Sequence, residues 1–164
     1  MNRITEVGIV LMDGTEVVET YHTLVDPGVP ITPFVQHLTG ITDEMVNGAP
    51  QFGAVAERIN ELLQDRIFVA HNVQFDSKMI RSEMKRCCIT FDPPRLCPGK
   101  LSRRVFPGFP SYSLHNLTQS LGLPDFNHHR ALADTMAAAE ILKLALGKVG
   151  EDGVWKEVKN RKKP

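Results

Sequence analysis

The stretch His128-His129-Arg130-Ala131-Leu132-Ala133-Asp134-Thr135-Met136-Ala137-Ala138-Ala139-Glu140-Ile141-Leu142 constrains the fold more than any other. It is rich in alanine and free of glycine and proline, which predicts a strong helix. At helical spacing Asp134 shares a face with Ala138, Ile141 and Ala145, so a carboxylate stands on the apolar side of a core helix. Such a group left unpaired costs several kcal/mol, roughly, and requires a cation or a donor cluster. Arg130, one turn back, is the structural candidate for that partner. His129 lies five positions before Asp134, which a continuous helix would rotate away. A histidine on a loop reaching over an aspartate on a helix is the expected arrangement.

The rest of the chain supplies alternating elements. Ile4 to Met12 reads as a buried strand, Asp13-Gly14 as a hairpin turn, and Val17 to Val25 as the returning strand. Pro30 to Pro50 looks irregular, with Thr42 capping a short helix through Met45. Phe52 to Leu63 has the apolar spacing of an amphipathic helix. Ile67 to Ala70 is a short, wholly apolar run, as in a strand covered on both faces. A polar turn at His71-Asn72 follows it, then a helix over about Phe75 to Cys88 with Phe75, Met79, Ile80 and Met84 inward. Strand, polar turn, helix is where α/β proteins place function. Beyond Pro93-Pro94 come a brief strand at Arg95 to Cys97 and a helix over Leu101 to Phe106. A further helix over Leu114 to Leu121 is capped by Ser111 or Ser113 and stopped by Gly122. From Gly147 onward the chain reads as a polar, partly disordered tail.

With 164 residues, 42% hydrophobic and 23% charged, the composition is that of one ordinary globular domain. Nineteen basic and nineteen acidic residues leave no net charge to argue for or against a polyanionic partner. Basic residues are instead clustered at Arg95 to Arg104 and Lys156 to Pro164. Cys87, Cys88 and Cys97 make neither an even framework nor a CxxC pair, so free thiols in a reducing cytoplasm are expected. The chain shows neither a signal pattern nor a membrane-length apolar run. Histidines and cysteines lack zinc-finger spacing, and a carboxylate site would take Mg²⁺ or Mn²⁺.

Taken singly, Asp76 is an ordinary aspartate of a first helical turn, favoured by the macrodipole. His71 alone is a hydrogen-bonding residue closing a strand, and His129 alone a surface histidine. In combination they say more. His71-Asn72-Val73-Gln74-Phe75-Asp76, Phe106-Pro107-Gly108 with Ser113-Leu114, and His129-Arg130-Ala131-Leu132-Ala133-Asp134 occur in this order at domain-scale spacing. The series resembles the DEDD-type 3′–5′ exonucleases whose general base is a histidine, such as the DNA polymerase III proofreading (epsilon) subunit and its stand-alone relatives. The resemblance runs from about Arg3 to Leu146.

That resemblance implies an α/β, RNase H-like mixed sheet flanked by helices. It also implies two divalent ions held by four carboxylates, of which Asp76 and Asp134 match the third and fourth, with His129 as general base. The segment at His37, Gly40, Ile41 and Thr42 would lie near the terminal nucleotide, together with Asn72 and Phe75. The implied substrate is the 3′ end of nucleic acid, single-stranded DNA first of all, in proofreading or repair beside a DNA polymerase. The family's first two ligands, in an Asp-x-Glu ending a central first strand, have no counterpart here, because Arg3 to Gly8 already matches the second strand. Glu6 matches a glutamate outside the metal set. An exonuclease domain over residues 1–148 lacking that strand, followed by a basic tail over 149–164, is therefore expected, and without the strand the domain is expected to be unstable, inactive or both. An inactive nucleic-acid-binding module of the same fold is the alternative. Lys100, Arg103 and Arg104 could contact phosphates, but a basic helix face is more often merely solvated.

Overall fold

The computed structural model describes residues 3–160. Two strands open the chain, β1 (Glu6–Asp13) and β2 (Glu16–Leu24), paired antiparallel around a turn in which Gly14 takes a φ of 58°. The register slips by one residue between Leu11 and Met12, a bulge that places Leu11 opposite Glu19 but Met12 opposite Val17. Helices α1 (Pro33–Thr39), α2 (Asp43–Val46) and α3 (Phe52–Leu63) follow. Strand β3 (Phe68–Val69) leads into α4 (Val73–Arg86), and β4 (Arg95–Leu96) pairs parallel to β3. The chain ends with α5 (Pro98–Val105), α6 (Leu114–Ser120) and α7 (Ala131–Trp155). Among the described residues the strands form two separate two-stranded sheets, β1–β2 and β3–β4.

β1 organises two layers through its period of two. Val7, Ile9 and Leu11 point into a core made with Phe52, Ala56, Ile59, Leu62, Val73 and Met84, the inner faces of α3 and α4. From the opposite face, Glu6 and Gly8 meet the start of α7. β3 divides its two side chains the same way: Phe68 joins the first core, and Val69 packs against a second one of Leu96, Leu101, Val105, Leu142 and Ala145. The expectation of a strand covered on both faces holds. Ala138, Ile141 and Ala145 form the buried stripe of α7 that the spacing predicts. A third, smaller cluster of Ile31, Ile41 and Val46 supports α1 and α2.

Local signals explain most boundaries. Thr42 and Ser113 accept N–H bonds at the starts of α2 and α6, so Ser113 rather than Ser111 is the cap. Three expectations are corrected. The segment read as irregular contains α1, with Pro33 in its first turn and Thr32 as cap; it has no buried residue, hence no apolar period to detect. α4 begins two residues earlier than expected, so Val73, Ser77 and Met84 face inward and Phe75 is turned out, 58% exposed. The tail is also more ordered than its composition suggests. The helix is interrupted at Gly150 (φ 67°), after which Val154 and Val158 are buried against α5 and Lys159 pairs with Arg95. The last four residues of the basic tail lie outside the described ones.

The layer contact between β1 and α7 is unusually close. A Cβ at Gly8 would lie 2.5 Å from the Leu132 backbone nitrogen and 2.6 Å from its Cα. Backbone atoms cannot rotate aside, so any side chain there forces the helix off the strand. Gly8→Val is expected to lower unfolding free energy by about 3 kcal/mol, toward the upper end for overpacking. Urea unfolding measures this, and an unchanged midpoint would show the two layers can separate freely.

Candidate active site

The site forms where β3 ends and α7 begins. Ala70, His71 and Asn72 turn the chain from β3 into α4, and Asn72 does so in the left-handed region (φ 59°, ψ 47°), which asparagine tolerates better than most residues. Its N–H donates to Cys97 Sγ at 3.3 Å, tying the turn to the end of β4. The His71 ring packs on Gly99, where a Cβ would come within 2.7 Å of the ring. Burial lowers the His71 pKa, against a hydrogen bond with the Tyr112 backbone and the charge of Asp134, so the ring is neutral near pH 7.

Asp76, in the first turn of α4, is held up at about pKa 6. Burial is the main cause, the negative charge of Asp134 adds to it, and backbone hydrogen bonding opposes both. Two carboxylates from separate elements thus converge closely enough to repel one another. That is the chemistry of a cation site: a divalent ion reverses both the desolvation and the repulsion, and the all-oxygen donor set suits a hard ion.

Asp134 is 35% exposed and does not pair with Arg130. One oxygen contacts His128 Nδ1 at 3.2 Å, and the other accepts the His129 backbone N–H at 3.1 Å. His129 is exposed with φ 69°, on the loop before the helix. The picture of a loop histidine beside a helix aspartate therefore holds for residue 129 through its backbone, whereas the ring that meets Asp134 belongs to His128. Sequence reasoning passed over His128 because it has no spacing signal of its own; its position next to His129 was the available clue.

Arg130 turns to Glu6 instead. Its Nη2 lies 2.7 Å from Glu6 Oε1 and its Nε 3.2 Å from both oxygens, while the Ala131 N–H donates to Oε2 at 2.8 Å. His22 Nε2 lies 2.7 Å from Oε1. Burial alone would raise the Glu6 pKa, but Arg130, the Ala131 N–H and His22 outweigh it and hold the carboxyl at about 2. Every Glu6 oxygen is taken, in agreement with its reading as a residue outside the metal set.

The remaining expected site residues fall in two groups. Asn72 and Phe75 are exposed beside Asp76 on the same turn. His37, Gly40, Ile41 and Thr42 belong to the α1–α2 segment, built on its own small core. Ile41 is only 1% exposed within that core, so its side chain anchors the segment and is not available to a ligand. Gly40 closes α1 with φ 71°. The basic residues of α5 are exposed, and two of them also make contacts: Arg103 stacks over Tyr112 at 4.8 Å, and Arg104 pairs with Glu157 at 2.8 Å.

Comparison with known proteins shows the family and the fold. The RNase_T family model, described as exonuclease, matches residues 1–142. The chain belongs to that family. It is 36% identical over 148 residues to the 3′–5′ exonuclease DinG of Staphylococcus epidermidis, and 36% identical over 146 residues to that of Staphylococcus aureus. The alignments cover 90% and 88% of this chain, yet the chain spans only 16% of the length of these relatives. Among solved structures, exonuclease X in complex with 5′ overhanging duplex DNA is similar at 28% identity and TM-score 0.74, covering 90% of this chain and 84% of that one. The nuclease domain of 3′hExo, a DEDDh family member bound to rAMP, shares the fold at 22% identity and TM-score 0.76, covering 99% and 86%. The fold is RNase H-like α/β, as expected. Among the described residues no helix is long and apolar enough to cross a membrane.

The Glu6 cluster yields a test. Its folded pKa of about 2 lies below the ordinary 4.5, so its stabilisation is complete above pH 4.5 and is lost as pH falls through 2. Glu6→Gln is expected to cost about 3 kcal/mol at pH 7. In urea unfolding, the difference between the two proteins narrows as pH is lowered from about 5 toward 2; a difference independent of pH would exclude an ionic clamp.

Proposed function

We propose that this chain is a metal-dependent 3′–5′ exonuclease domain that removes nucleotides from the 3′ end of single-stranded DNA, in a proofreading or repair role. The observation that carries the reading is the convergence of Asp76 and Asp134, with Asp76 raised to about 6 by burial and by Asp134. In this reading residues 1–148 form the nuclease domain, and residues 149–164 follow it.

Asp76 and Asp134 hold Mg²⁺ or Mn²⁺, two ions in the complete family site. Mg²⁺ commonly binds through one or two carboxylates together with substrate phosphates, which fits this donor set. Bound divalent ions supply Lewis-acid stabilisation of the attacking and leaving oxygens of an in-line displacement. The residues do the rest. His129 takes the proton from the attacking water, its position fixed by the bond from its N–H to Asp134. Phe75 offers an exposed ring on which a base can stack, and Asn72 adds a polar group on the same turn. His37, Gly40 and Thr42 line the approach to the terminal nucleotide, with Ile41 holding that segment in place.

The test is shortening of 5′-labelled single-stranded DNA with Mg²⁺ or Mn²⁺. Asp134→Ala and Asp76→Asn are expected to fall to background while remaining folded, and His129→Ala to lose about 10²–10⁴-fold. Phe75→Ala is expected to raise KM more than it lowers kcat. An Asp134→Ala chain that degrades DNA as fast as the parent would sink the site assignment. Salt-sensitive DNA binding without cleavage by the parent chain would instead make this a binding module.

A further inference from the structure

A second group of ligand-type side chains lies just beyond the carboxylate pair. His115 is in the first turn of α6, Asp125 is in the loop after it, and His128 is in the turn before α7. One ligand atom from each lies within 4.8 Å of the other two. The His115 and His128 rings meet edge to face with centroids 5.0 Å apart. We propose that His115, Asp125 and His128 form a separate site for a zinc-type transition-metal ion.

Four features support it. His128 uses Nδ1 toward Asp134 at 3.2 Å, while its Nε2 is buried without a hydrogen-bond partner. A buried ring nitrogen left unmatched is costly, and a metal ion is a partner that satisfies it. The carboxylate on the opposite nitrogen is itself what metal-binding histidines carry: it fixes the ring and raises its basicity. The donor set is also distinct from the neighbouring one. Two imidazoles and one carboxylate suit Zn²⁺, whereas Mg²⁺ prefers an all-oxygen set. Finally, three protein ligands leave a fourth tetrahedral position for water, and the exposure of His115 and Asp125 gives an ion a path in. Zinc bond lengths place ligand atoms roughly 3.4 Å apart, so atoms now within 4.8 Å of one another draw together by at most about an ångström and a half. The two exposed side chains can supply that movement by rotation.

The site shares a residue contact with the nuclease centre. An ion on His128 pins the turn whose next residue is His129, and it acts on Asp134 through the His128 ring. Such an ion would be separate from those proposed on Asp76 and Asp134.

The experiment titrates chelator-stripped protein with Zn²⁺ alone, without DNA or Mg²⁺, by calorimetry and against a chromophoric chelator. It uses an Asp76→Asn background, which cripples the carboxylate pair. One Zn²⁺ is expected to bind in that background, and excess Mg²⁺ should not displace it. Adding His115→Ala or Asp125→Asn is expected to weaken it by roughly tenfold or more. Both positions are exposed, and circular dichroism verifies their fold. In the parent, Zn²⁺ should also shift the His128 imidazole resonances in NMR. If either added substitution leaves zinc affinity unchanged, or if Asp76→Asn alone abolishes binding, the proposal is overturned.

Discussion

The buried carboxylate of Glu6 is the interaction on which the site depends. It joins the first strand to the first turn of α7 across 124 residues of chain, accepting from the Arg130 guanidinium and the Ala131 N–H. A carboxylate at a helix start is favoured by the free N–H groups and the dipole there. Here the favourable anion comes from the strand. Gly8, two residues on, puts no side chain where the strand meets the Leu132 backbone, and Thr135 Oγ1 closes the contact by donating to the Gly8 carbonyl at 3.0 Å. Strand and helix are thus fixed in both distance and register. Asp134, one turn further along the same helix, inherits that placement.

The clamp also separates two carboxylates that the sequence alone treats alike. Glu6 and Asp134 both approach the start of α7, and Arg130 stands between them in the chain. Arg130 goes to Glu6, which removes the structural partner that would have neutralised Asp134. Asp134 is left with a histidine ring and one backbone N–H, and with Asp76 as a repelling neighbour. One charge is satisfied to hold the fold. The other is left short of partners, which is what a site for an external cation requires.

What could be read before the structure follows the strength of each physical signal. The hairpin at Asp13-Gly14, the buried stripe of α7, α3 and the strand at Phe68 all rest on periodicity or turn chemistry, and they stand. Helix α1 has no buried residue, and Val154 and Val158 are two apolar positions in a polar stretch after a glycine break. Neither leaves a period to find, because the contacts that order them are tertiary. Phe75 misled for a related reason: hydrophobicity places it inside, but the sharp turn at Asn72 starts the helix at Val73 and rotates Phe75 outward. At the site, Asp134 was legible as an expensive carboxylate and Asp76 only in combination with it. The Glu6–Arg130 choice and the role of His128 were not, since nothing local says which of two carboxylates an arginine takes.

An exposed aromatic beside a strained carboxylate also clarifies why the turn after β3 has its form. A left-handed Asn72 lets α4 begin immediately after the strand, which puts Val73 into the core and Phe75 and Asp76 side by side at the helix start. Had the helix begun in phase with the apolar residues, Phe75 would have been buried and Asp76 rotated away from Asp134. The turn therefore gives up one large apolar contact, about 1.5–3 kcal/mol for a fully buried phenylalanine. In exchange it presents an exposed ring and a carboxylate together on one edge. Such a local conflict between hydrophobicity and position is expected at functional sites more than elsewhere. Here the conflict and the carboxylate with the raised pKa occupy adjacent residues.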